Sequence, residues 1–224
     1  MGATSVSGRS SQQAWIVPHR QVVFTIPKML RIFFKYKRRL LGELCRVAVE
    51  ALLKYFRAVS ATELRPGVVA VIQSFGQKIN FHPHLHLLVT ERGEAREGRF
   101  HHVPSFSDGL LAEFFSREVF ALLLEAELIS PELVEKMLLW RHTGFSVHSQ
   151  IRAKTKAEAE RVGQYMIRPL LAPERLSFSE KEGKVCYRII NHLRLTFVAS
   201  KPPPPRIVYQ EVLMASETSS EYFS

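Results

Sequence analysis

Cysteine is scarce: the 224 residues contain 2, Cys45 and Cys186, far apart and without Cys-x-x-Cys spacing. A disulfide framework and a zinc finger are both unsupported, and a reducing cytoplasm is the expected setting. Long hydrophobic runs are missing as well. Stretches such as Ala121-Leu122-Leu123-Leu124 fall far short of the roughly 18 residues of a spanning helix, so no membrane partner is expected. Residues Met1 to Gln13 are Ser/Gly-rich with one Arg and lack the apolar segment of a secretory signal. No Gly-x-x-x-x-Gly-Lys-Ser/Thr phosphate loop occurs. Acidic residues are in deficit, 21 Asp+Glu against 31 Lys+Arg, for a formal charge of +10 and a pI near 9.9. Such a balance favours an anionic partner, nucleic acid foremost, although net charge alone is equally compatible with a solvated cationic face.

What is present suffices for one ordinary domain, with 46% hydrophobic and 10% aromatic residues to build a core. Val22 to Ile26 is β-branched and aromatic, and Pro27 after it suits a helix start. Apolar residues from Leu30 to Phe56 recur at helical spacing, interrupted at Gly42, as one long helix or two. Arg31, Lys35, Lys37, Arg38 and Arg39 fall on its other face, read as the wet side. Gly67 to Phe75 and Phe81 to Thr90 form a hairpin around the turn-rich residues 76–80. Glu91 to Pro104 is charged and aperiodic, an exposed excursion. Helical spacing resumes from Leu110 to Ala126, with Ser107 and Asp108 as N-caps, and Ser130-Pro131-Glu132 starts another helix that ends before Gly144. Phe145 to Arg152 alternates as a strand, and Thr155-Lys156-Ala157-Glu158 is a capping box for a helix that Pro169 stops. Lys184 to Ile190 and Leu193 to Val198 are further strands, with a turn at Asn191-His192. Together these predict an α+β fold on a mainly antiparallel sheet: a flexible tail at 1–14, one domain at 15–198, and an irregular Pro- and Ser-rich end at 199–224.

The densest chemical signal is His82-Pro83-His84-Leu85-His86. In a strand, His84 and His86 project from one face while Leu85, Leu87 and Val89 enter the core, so the two imidazoles can share a metal. His82, before Pro83, belongs at the loop edge and is a weaker ligand. The bland alternative is a histidine-rich polar face. Gln73 on the preceding strand can face the pair and offers an oxygen as third ligand, with His148 ranked below it. The second signal is Tyr165, with Arg161 four residues before and Arg168 three after. Cations around a phenol suit attack on a phosphodiester, because guanidinium binds phosphate oxygens and favours phenolate. Against this, Val162, Tyr165 and Met166 also read as a packing stripe.

The segments PHRQVVFTIPK at 18–28, IQSFGQKINFHPHLHLLVT at 72–90, FSVHSQIR at 145–152 and QYMIRPLLAPERL at 164–176 resemble, in that order, the rolling-circle transposases of bacterial insertion sequences. Those proteins are members of the His-hydrophobic-His superfamily of single-strand endonucleases. The resemblance spans about residues 15–198 and implies cutting and rejoining of single-stranded DNA at transposon ends. It further implies a 5′-phosphotyrosine intermediate and a divalent metal, Mg or Mn. It matches Tyr165 to the nucleophile and His84 and His86 to the histidine pair, with Gln73 a candidate ligand and Arg161, Arg168 and Arg175 candidate DNA contacts. Three departures accompany it. No cysteine-rich zinc segment lies upstream of Trp15; the position four before Tyr165 is Arg161 and four after is Pro169, leaving a single-tyrosine form; and the end beyond Ala199 differs. They lead to the expectation of a shortened copy. An inactive DNA-binding remnant and a metal-dependent phosphodiester hydrolase are the alternatives.

Overall fold

The run Val22-Val23-Phe24 lies in β1 (His19–Thr25), whose even-numbered positions Val22 and Phe24 are fully buried. The computed structural model describes residues 17–60, 63–76, 80–103, 106–168, 176–179, 181, 184–188, 194–198 and 212–213. After β1, Pro27 caps a 3-10 turn (Lys28–Leu30), followed by α1 (Arg31–Tyr36) and α2 (Leu40–Ser60). The helical stretch is therefore two helices, but it breaks at Lys37–Arg39 rather than at Gly42. A helical glycine costs about 1 kcal/mol. Each large buried side chain contributes about 1.5–3 kcal/mol, and α2 buries Leu40, Leu41, Leu44, Val47, Leu52, Tyr55 and Phe56, so Gly42 is carried along.

Strands β2 (Arg65–Phe75) and β3 (Phe81–Glu94) form the expected hairpin. β3 continues past Thr90 and pairs with β4 (Phe100–His102), so part of the stretch read as an exposed excursion is sheet. Glu91 within it is 1% exposed because Arg20 and Arg152 both bind its carboxylate, at 2.7 and 2.5 Å. The helices α3 (Asp108–Glu125) and α4 (Pro131–Leu138) start where their caps predict: the Ser107 hydroxyl accepts from Leu110 N–H and the Ser130 hydroxyl from Leu133 N–H. The strand read at 145–152 is split into β5 (Ser146–His148) and β6 (Arg152–Ala153), both paired with β1. Gly144, at φ +81°, seats β5 against Pro27, where a built Cβ would come within 3.2 Å of the proline. Helix α5 (Lys156–Met166) follows, then β7 (Leu176–Ser179), β8 (Lys184–Arg188) and β9 (Arg194–Val198), a three-stranded antiparallel sheet. β8 and β9 are the expected hairpin, whereas β7 lacked a sequence signal. Val212–Leu213, inside the stretch read as an irregular end, make β10 against β2.

The result is the expected α+β architecture on an antiparallel sheet, ordered β10-β2-β3-β1-β5 with β4 and β6 at the ends of β3 and β1. One face of this sheet carries Ala70, Ile72, Leu85, Leu87, Val89, Val22 and Phe24 into a core shared with α2 and α3. Phe24 meets Phe115 of α3 with ring centroids 4.8 Å apart. The opposite face holds a much smaller cluster, Val71, Leu88, Ala153, Ala159 and Met166, beneath α5. Among the described residues no helix is long and apolar enough to cross a membrane.

Candidate active site

Strand periodicity places the histidines on that second face, because Leu85, Leu87 and Val89 occupy the first. Antiparallel register then builds rows across the sheet: Gln73 opposite His84 opposite Thr25, and Val71 opposite His86 opposite Val23. Gln73 thus lies beside His84, as the hairpin requires. His82 shares the face, its ring 5.5 Å from that of His84, and His84 lies 4.9 Å from His86 between centroids. His148 pairs with Val23 and is exposed, so a whole strand separates it from His86. The lower-ranked ligand does not reach the pair.

Helix α5 brings the tyrosine. Its first turn is fixed by the capping box: Glu158 N–H donates to Thr155 Oγ1 at 3.2 Å, and Thr155 N–H donates to Glu158 Oε2 at 3.3 Å. Its last turn is tied to β2, where Gln73 Nε2 donates to the Met166 carbonyl at 2.9 Å. Between these anchors Ala159 and Met166 are buried and Val162 packs beside them, whereas Tyr165 is 53% exposed. A packing stripe accounts for Val162 and Met166 but not for Tyr165. The Tyr165 ring meets the His86 ring edge-on, at 6.4 Å between centroids, and the Arg168 guanidinium lies 5.6 Å from the tyrosine centroid. Arg161 is exposed one turn earlier and adds to the backbone N–H groups of Lys154 and Thr155 that hold the Glu158 carboxyl below its usual range. Arg175 lies outside the described residues.

The protonation of the imidazoles is set by their neighbours. His84 Nδ1 donates to the His82 carbonyl at 2.8 Å, which leaves the lone pair on Nε2. Burial, and after it the charge of Arg31, keeps His84 below the ordinary histidine range against that hydrogen bond. His86 is 6% exposed, and burial, then the proximity of His84, brings it down to about 4. Both rings are therefore neutral near pH 7, the form that ligates metals. His86 Nδ1 is 2.9 Å from Nε2 of Gln21, which is 2% exposed, while His86 Nε2 is buried without a hydrogen-bond partner among the described residues. An orphaned buried nitrogen costs about 1–3 kcal/mol. With the Gln21 amide turned to present its oxygen, Nδ1 donates and Nε2 offers a lone pair, and a cation there removes the penalty. His82 Nε2 is also buried without a partner among the described residues. Among the described residues no three His, Cys, Asp or Glu side chains form a metal cluster; Gln73, opposite His84, carries a side-chain oxygen beside them.

Two neighbours of the site escaped the sequence reading. Gln21 lies within a segment that carries the resemblance, yet its contact with His86 depends on strand pairing across 65 residues. Arg31, read as part of the wet face, sits close enough for its charge to act on both His82 and His84.

Residues 67–201 match the Y2_Tnp family, described as "Putative transposase". Over 207 residues the chain is 26% identical to the transposase for insertion sequence element IS801 of Pseudomonas savastanoi pv. phaseolicola, covering 83% of this chain and 50% of that protein. The chain spans about half the length of this curated relative. No solved structure is a significant match. The span matched to the family contains Gln73, His84, His86 and Tyr165; Gln21 and Arg31 precede it.

Proposed function

The chain belongs to the Y2_Tnp family of transposases, and from that premise we propose that it cuts and rejoins single-stranded DNA through a covalent bond to Tyr165. The observation that carries this reading is the edge-on approach of the half-exposed Tyr165 ring to the buried His86 ring, 6.4 Å between centroids. Without a strand-transfer role nothing about the packing of α5 calls for a tyrosine there.

In the proposed step the Tyr165 oxygen attacks phosphorus, and the bond from phosphorus to the 3′ oxygen breaks. The phenol proton passes to solvent and the departing 3′ oxygen takes one up, leaving a free 3′-hydroxyl and a 5′-phosphotyrosine. Attack by a 3′-hydroxyl reverses the sequence and rejoins a strand without a nucleotide cofactor. Arg168, stacked over the phenol, and Arg161, one turn away, offer guanidinium groups to the phosphate oxygens. His84 and His86 would hold a divalent metal, Mg or Mn, through Nε2, with Gln73 supplying an oxygen; when bound, the ion acts as a Lewis acid on the scissile phosphate. Imidazole donors suit Mn better than Mg, so Mn is the first ion to test.

The test is an adduct assay with single-stranded oligonucleotides carrying the ends of an adjoining insertion element and Mn. A covalent protein–DNA band is expected from the natural chain and none from Tyr165→Phe, which should fold as well. A band that survives the substitution overturns the tyrosine assignment. DNA binding without any adduct identifies an inactive remnant instead, and cleavage to free products without an adduct identifies a hydrolase.

A further inference from the structure

A cation, partly buried and without a carboxylate partner among the described residues, borders the histidine row. Arg31 is the first residue of α1, and its Nε donates to the Ile26 carbonyl at 3.2 Å. Ile26 follows Thr25, the β1 residue directly opposite His84, and α1 packs against β3. The guanidinium is thereby anchored one position beyond the row that contains Gln73 and His84.

Elsewhere in the described structure the partly buried Arg20 is matched by an acid, the buried Glu91. Arg31 has no such ion pair among the described residues, while burial disfavours its charge. A guanidinium has five N–H donors, and the Ile26 carbonyl accepts from one. Partial burial costs the cation some of its hydration, and the group that best meets a planar fork of donors is a carboxylate or a phosphate. The helix surface beyond it points to which. Lys35, one turn from Arg31, lies with its ammonium 5.6 Å from the Tyr36 ring, and Tyr36 is 73% exposed. Cations interleaved with an exposed aromatic fit a single-stranded polynucleotide, whose phosphates and bases need both.

We propose that Arg31 binds a backbone phosphate of single-stranded DNA beside the one that Tyr165 attacks, with α1 forming a wall of the strand's path. This rests on the strand-cutting reading and adds the place of a second phosphate. Arg31 contributes position and charge there; the covalent step stays with Tyr165.

The measurement is fluorescence anisotropy of a labelled 20-mer of thymidylate at several salt concentrations. It uses the full chain carrying Tyr165→Phe, so that binding is read apart from cutting. Arg31→Ala is expected to weaken binding about tenfold at low salt and to lower the slope of log affinity against log salt by about 0.7, the share of one single-strand phosphate. Arg31→Gln, which keeps an amide donor for the Ile26 carbonyl but no charge, should lose the same slope. Arg31→Lys should retain it. Arg96→Ala, at an exposed ion pair with Glu63, serves as the control and should leave affinity within about twofold. Unchanged affinity and slope in Arg31→Gln overturn the inference, as does a loss in Arg31→Lys as large as in Arg31→Gln. An adduct from the natural chain with no Arg31 effect on binding leaves the cutting reading intact and removes only this contact. The Arg31 slope change without any adduct does the reverse. Absence of oligonucleotide binding by the parent protein rejects both.

Discussion

At the scale of single residues, the decisive contacts join side chains distant in sequence. Gln21 fixes the His86 ring from a neighbouring strand, and outer hydrogen bonds of this kind commonly account for about 10- to 100-fold in metal affinity. Gln21→Leu keeps the size and the burial and removes the partner of Nδ1. It is expected to lower Mn affinity by about that factor, read by titration calorimetry, with the circular dichroism spectrum retained; an unchanged affinity contradicts the role. Strand alternation put His84 and His86 on one face in the sequence, the spacing of Arg161 and Arg168 singled out Tyr165, the resemblance pointed to all three, and the hairpin register set Gln73 beside His84. Gln21 and Arg31 were not, since their roles follow from packing against β3 rather than from their own neighbours in sequence. Glu91 misled for a related reason. Its charge reads as exposure, yet Arg20 and Arg152, 71 and 61 residues away in sequence, neutralise it inside the fold.

At the scale of elements, α5 is held by few contacts among the described residues. Its apolar anchor is a cluster of five buried residues, so the capping box and the Gln73 bond carry an unusual share of its position. Removing an N-cap hydroxyl costs about 1 kcal/mol, a factor of about five in a local opening equilibrium. Thr155→Ala should accordingly speed amide hydrogen exchange of residues 159–166 about fivefold and leave β1 and β3 unchanged. An equal acceleration in those strands shows instead that α5 opens only with the whole domain. The capping box was readable because it is a local code, four residues long. The break between α1 and α2 was not. Gly42 is the stronger breaker by propensity, but the buried stripe of α2 outweighs it. The continuation of β3 beyond Thr90 was hidden for the opposite reason: its partner β4 is three residues long and has no pattern of its own.

At the scale of the molecule, protonation and stability are linked through the buried imidazoles. Burial lowers His19, His82, His84 and His86 from the ordinary value near 6.5, His86 to about 4. The unfolded chain therefore binds more protons than the folded one between those limits, and stability rises with pH across that window. Acidification from pH 6.5 toward 4 should remove about 3 kcal/mol through His86 alone. Urea unfolding of the metal-free protein in chelator checks this, and a stability that stays flat over the window contradicts it. The same sheet that buries these rings divides its labour by parity. Along β3 the odd positions Leu85, Leu87 and Val89 hold the molecule together, while the even positions His82, His84 and His86 line the opposite face, where the proposed site lies. Mutational drift can therefore strike the two sets independently: a lineage that loses turnover keeps its shape, so an intact fold in a descendant is no guarantee that the element it came from still moves.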